Sequence, residues 1–135
     1  MMWLWAGLGG FIGASGRYLV STAAQRFGGS LVGSAAPSVT GTLIVNLIGC
    51  LAIGLVAGLV EQKGLTDERL KVFLMVGVLG GFTTFSALGL EGHQLWRSGS
   101  IFYTVGLFAG QAVIGIGLVG IGWSFARSLL HGEGN

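Results

Sequence analysis

Four apolar runs, at about 3–24, 38–60, 72–95 and 101–129, divide the chain, and each is long enough to cross a bilayer. A hydrocarbon layer of about 30 Å needs roughly 20 residues of α-helix, in which every backbone polar group is satisfied within the segment itself. The 135 residues are 52% hydrophobic and only 9% charged, too apolar for a soluble domain of this length. The expected fold is all-α and integral to the membrane. One transmembrane domain of four helices is expected to occupy 1–135.

The third run is unlike the others. Its centre, GVLGGFTTFSALGLE from Gly77 to Glu91, sets two adjacent glycines and three hydroxyls, Thr83, Thr84 and Ser86, at the depth where lipid is driest. Glycine pairs lower helix propensity, and backbone left bare to lipid costs several kcal/mol per group. A break here is therefore expected, buried in protein or facing a watery cavity, so that the segment lines an ion or solute site. The alternative is close packing at the glycines, with hydroxyls bonded back to the preceding turn.

Charge and cysteine content remove several function classes. A formal charge of +2 comes from few ionised groups with no basic cluster, which excludes a nucleic-acid partner. The lone Cys50 excludes an intrachain disulfide and reads as a small buried hydrophobe. Glu91, His93 and Gln94 close the third run without a nucleophile placed beside them, so no enzyme is expected. The amino-terminal run lacks a preceding basic region and is expected to be the first span.

Twenty-seven glycines against one proline indicate close helix crossings. Pairs four apart, Gly9 with Gly13, Gly54 with Gly58, Gly77 with Gly81 and Gly106 with Gly110, are expected to form grooves. Thr66, ahead of Asp67, Glu68 and Arg69, reads as the N-cap of the third helix. Trp3, Trp5, Trp96, Trp123 and Tyr103 fall near span ends, where such rings settle at headgroups. With four crossings, Lys63, Arg69, Lys71 and Arg127 lie on one side, against Arg26, Arg97 and an outward-reaching Arg17 on the other. So even a distribution permits insertion both ways and an antiparallel dimer, unless the second loop's charges still fix one orientation.

Uncharged polar residues supply the candidate site. In the second run Asn46 and Thr42 lie one turn apart and offer an amide and a hydroxyl to an anion, although an interhelical hydrogen bond from Asn46 is an equal reading. Neutral donors let an ion both enter and leave, where a buried Lys or Arg would retain it. Phe82 and Phe85 carry positive ring edges beside the hydroxyls. Arg17 either concentrates anions in an aqueous vestibule or extends to the headgroups.

The motifs GGFIGASGRY (Gly9 to Tyr18), GTLIVNLIG (Gly41 to Gly49) and GGFTTFSALGLE (Gly80 to Glu91), in this order, resemble the Fluc-type (CrcB) bacterial fluoride channels over nearly the whole chain. The resemblance implies a dual-topology antiparallel dimer in the bacterial inner membrane that exports fluoride passively through two pores. It also implies a structural Na+ at the dimer centre, held here by the backbone carbonyls of Gly80 and Thr83. Pore donors would be Asn46, Thr42 and Ser86, with Phe85 as the first pore ring and Phe82, Leu88, Gln111 and Tyr103 at the other positions along the pore.

The chain departs from the family pattern, commonly TTFSTFS-x-E, by reading TTFSALGLE, so Leu88 stands where a second ring is expected and Gly89 where a serine is. After Tyr103, Leu107 and Gln111 occupy the turns where hydroxyls are usual; Gln111 is an alternative donor. Three arrangements stay open: a conducting homodimer, a subunit that pairs with a paralogous chain carrying the main pore, and a small proton-coupled exporter using Glu91.

Overall fold

The computed structural model describes residues 1–27, 37–62 and 65–131. The expected first loop falls largely at 28–36 and Lys63 in the second, both outside the described residues. Helix α1 is Met2–Phe27 and α2 is Pro37–Glu61. Then follow α3, Glu68–Lys71, running into a π-helical stretch at Val72–Leu79, and the short α4, Gly80–Phe82. Helices α5, Phe85–Arg97, and α6, Ile101–His131, complete the chain. Ser38–Glu61, Glu68–Arg97 and Ile101–Leu130 are long and apolar enough to cross a membrane. Helix α1 has the length, but its glycines, serines and Arg17 make it less apolar than the other three.

Apolar side chains such as Phe11, Phe102 and Ile116 point outward, as expected where hydrocarbon is the solvent. Glycines make the closest helix crossings on the inside. Gly77 of the π-helical stretch crosses Gly9 of α1 so closely that a Cβ on Gly77 would lie 2.8 Å from the Gly9 Cα and 2.9 Å from the Ala6 carbonyl oxygen. Gly81 meets the Gly10 carbonyl in the same way at 2.7 Å, and Gly13 faces the Phe82 amide at 2.8 Å. On the other side of the molecule, Gly58 of α2 fits against the Trp123 carbonyl at 2.8 Å, and Gly54 against Val119 of α6. Three of the four glycine pairs therefore seat another helix within the chain. Gly106 and Gly110 of α6 have nothing within 4 Å among the described residues.

The third span is not one continuous helix. Thr83 (φ −80°, ψ 155°) and Thr84 (φ −150°, ψ 116°) are extended, and the helical hydrogen bonds resume at Phe85. Upstream, the i→i+5 pattern at Val72–Leu79 is itself a departure that tends to accompany functional sites. Helix α5 ends in a tight turn in which Gly99, at φ +86°, takes the left-handed conformation. The Gly99 amide donates to the Trp96 carbonyl at 2.9 Å and the Ser100 amide to Leu95 at 3.2 Å, which lets α6 follow at once. At the ends of α2 and α6, Trp123 Nε1 donates to Glu61 at 2.7 Å while Arg127 lies over the Trp123 ring.

The cap of the third span is a correction. Asp67, not Thr66, holds the helix start, its Oδ1 accepting from the Arg69 amide at 2.7 Å and the Leu70 amide at 3.2 Å. A carboxylate accepts both bonds and also meets the positive end of the helix, which a threonine hydroxyl does less well. Asp67→Ala should cost about 1 kcal/mol, read as a lower melting midpoint in detergent, whereas Thr66→Ala should leave the midpoint unchanged. The reverse ranking would restore Thr66 as the cap.

Candidate functional site

The two extended residues are held from α2. Asn46 Oδ1 accepts from the Thr84 amide at 2.8 Å, and Asn46 Nδ2 donates to the Thr84 carbonyl at 3.0 Å. One buried side-chain amide thus pairs with both polar groups of one backbone residue. This is an interhelical bond of the kind set beside the anion reading of Asn46, and it leaves the second Nδ2 hydrogen unspent.

The arrangement has a consequence for the neighbouring carbonyls. In an unbroken helix the Thr84 amide would donate to the Gly80 carbonyl and the Ala87 amide to the Thr83 carbonyl. Here the first donor goes to Asn46 and the second to the Thr84 hydroxyl, at 3.2 Å. Both carbonyls lose their helical partners. The Thr83 amide and hydroxyl, by contrast, stay with the Leu79 carbonyl at 3.0 and 2.9 Å, so α4 remains closed up to Thr83.

Two grooves flank the interruption, with Thr84 in the wall of both. The first, of about 740 Å³, is the more polar of the two and includes Arg17, Ser21, Thr42, Ser86 and Glu91. Thr42 Oγ1 donates to Glu91 Oε1 at 2.8 Å; both side chains are buried, and Glu91 Oε2 has no hydrogen-bond partner among the described residues. The second, of about 780 Å³, is mainly apolar and includes Asn46, Gly80, Thr83, Phe85, Leu88 and Gln111. Thr42 and Asn46, one turn apart on α2, therefore serve different grooves.

The remaining candidates are distributed as follows. Phe85 is largely exposed and meets Phe108 edge-on, with centroids 6.3 Å apart and planes at 88°. Phe82 lines neither groove and packs instead beside Gly16 and Gly49. Leu88 is 4% exposed and offers only an apolar wall. Tyr103 is partly exposed and also stands outside both grooves. From sequence, Glu91 entered only as the carboxylate of the exporter alternative, without its bond to Thr42, and Phe108, the partner of Phe85, was not singled out. A carboxylate inside an apolar span was itself a signal for Glu91; for Phe108 there was none.

Comparison with known proteins agrees with these features. The family model described as "CrcB-like protein, Camphor Resistance (CrcB)" matches residues 4–123. Similar curated proteins include one from Paracoccus denitrificans, 40% identical over 90% of this chain and 91% of its own length, and one from Chloroflexus aurantiacus, 42% identical over 89% and 90%. A third, from Helicobacter acinonychis, is 37% identical over 96% of this chain and 98% of its own. All three are named "Fluoride-specific ion channel FluC". With the match spanning most of both partners, the chain belongs to the CrcB-like protein family.

Proposed function

We propose that this chain is the subunit of a fluoride-selective channel that lets fluoride leave the cytoplasm passively across the bacterial inner membrane. The observation that carries the reading is an interrupted third span between two grooves, one holding the hydroxyls of Thr42 and Ser86 beside Arg17 and Glu91 and the other the amides of Asn46 and Gln111 in an apolar wall, in a chain whose relatives are named fluoride-specific channels. A small anion can exchange its water for amides, hydroxyls and ring edges without being trapped by a fixed positive charge. The amino end of α5 begins at the interruption, so its positive dipole end also favours an anion nearby.

In this reading α1 is the fourth crossing, and two copies associate antiparallel. The face of α6 carrying Gly106 and Gly110, open within one chain, suits such a contact. The carbonyls of Gly80 and Thr83, released from helical bonding, fit a cation that prefers neutral oxygen, and a pair of chains would present two such sets to one Na+. Bound there, the ion would tie the two interruptions together. Arg17, beside the polar groove, would gather anions at its mouth.

Leu88 favours a second reading, in which this chain pairs with a paralogous subunit that carries the main pore, because a buried leucine brings no ring edge. Efflux from liposomes holding only this chain decides between them. Fluoride should escape rapidly while chloride stays at background. No fluoride release from the chain alone would favour the mixed assembly, and equal release of both halides would end the claim of selectivity.

A further inference from the structure

The apolar groove contains two side chains of α6, Gln111, the alternative donor after Tyr103, and Phe108, to which no part in the fluoride pathway has been given. Three residues apart, they share one helix face. Space for Phe108 is built by α5: a Cβ on Gly92 would lie 2.9 Å from the Phe108 Cζ, and Thr104 stands next to the same glycine at 3.5 Å. The ring is thereby directed against Phe85 as an edge-to-face pair. Such a pair fixes both orientations and leaves positive ring edges at defined places on the groove wall. Gln111 adds an amide whose Oε1 is buried with no hydrogen-bond partner among the described residues. Burying an acceptor unpaired is costly, and an amide can serve a hydrated anion from both ends, accepting from its water and donating to the ion.

We infer that Phe108 and Gln111 line the anion path beside Phe85, one supplying a ring edge and the other an amide to a small hydrated anion. This rests on the fluoride-channel reading. Asn46 and Thr84 lie in the same groove, so the two α6 residues face the interruption across it. Leu88 lies there as well, which makes it a place where a ring could be restored.

The test is fluoride and chloride efflux from proteoliposomes with the full chain, Phe108→Leu, Gln111→Leu and the double variant Phe108→Leu with Leu88→Phe. Each protein is also compared by gel filtration in detergent. Phe108→Leu and Gln111→Leu should each slow fluoride by about tenfold while eluting like the parent, the scale of one ring or amide contact in a dry site. The double variant should recover most of the loss, since a ring returns to the same groove. Variants that conduct within about twofold of the parent would overturn the inference and leave the channel reading intact. A slow Phe108→Leu that also elutes differently and is not rescued would mean packing alone, and would overturn it too. Absence of fluoride efflux from the parent would instead bring down the channel reading, and this assignment with it.

Discussion

Asn46→Asp should reduce fluoride efflux by at least about 100-fold, the effect of one repulsive charge some 6 Å from the ion at an effective dielectric near 20. The substitution keeps an oxygen for the Thr84 amide but turns a second oxygen toward the Thr84 carbonyl, where Nδ2 now donates at 3.0 Å. At 7% exposure, the new carboxylate has little water to screen it. Two effects thus coincide: the extended backbone loses one of its two bonds, and the groove acquires a charge of the wrong sign. Asn46→Leu separates them. It removes both bonds and adds no charge, and because Thr84 is half-buried in the groove walls the freed amide and carbonyl cost less than the roughly 1–3 kcal/mol of a fully buried group. If charge dominates, fluoride efflux falls much further in the aspartate variant than in the leucine variant. Equal losses would assign Asn46 to holding the backbone alone, and normal efflux in the aspartate variant would remove it from the pathway.

Local features of this fold could be read in the chain, and distant partnerships could not. Apolar runs locate the helices because lipid imposes a length and an apolar surface on any spanning segment, and α2 at Pro37–Glu61 encloses the expected run of 38–60. Gly80-Gly81 and Thr83-Thr84 mark an interruption by their own chemistry, since weak propensity and side-chain acceptors are properties of the residues themselves. Asn46 and Thr84 are 38 residues apart, and Thr42 and Glu91 are 49 apart. Donor inventories say that such groups need partners, but only the packing of α2 against the third span chooses which. Glycine spacing has the same limit. It marks a groove, yet Gly9 and Gly13 hold the third span while Gly106 and Gly110 meet nothing within 4 Å among the described residues.

The packing that positions the interruption can itself be broken by one branched side chain. Gly77→Val should prevent recovery of a monodisperse folded protein, because even its Cβ would meet backbone of α1 at 2.8 and 2.9 Å. Neither neighbour is the flexible end of a side chain, so the helices must separate. Overpacking of this kind costs about 1–3 kcal/mol or more, a large part of the stability of a small domain. Separation would also withdraw Gly81 from the Gly10 carbonyl and Phe82 from Gly13. Thr83 and Thr84 follow directly after these contacts, so the backbone clamped by Asn46 would move with them. Gly7→Val, on α1 at a position with nothing within 4 Å, is the matched control and should purify and melt like the parent. Elution and thermal aggregation in detergent read the difference. A well-behaved Gly77→Val protein with parental fluoride efflux would show that the crossing of α1 and the π-helical stretch can widen without disturbing the pathway, and the dependence of the interruption on glycine packing would have to be abandoned.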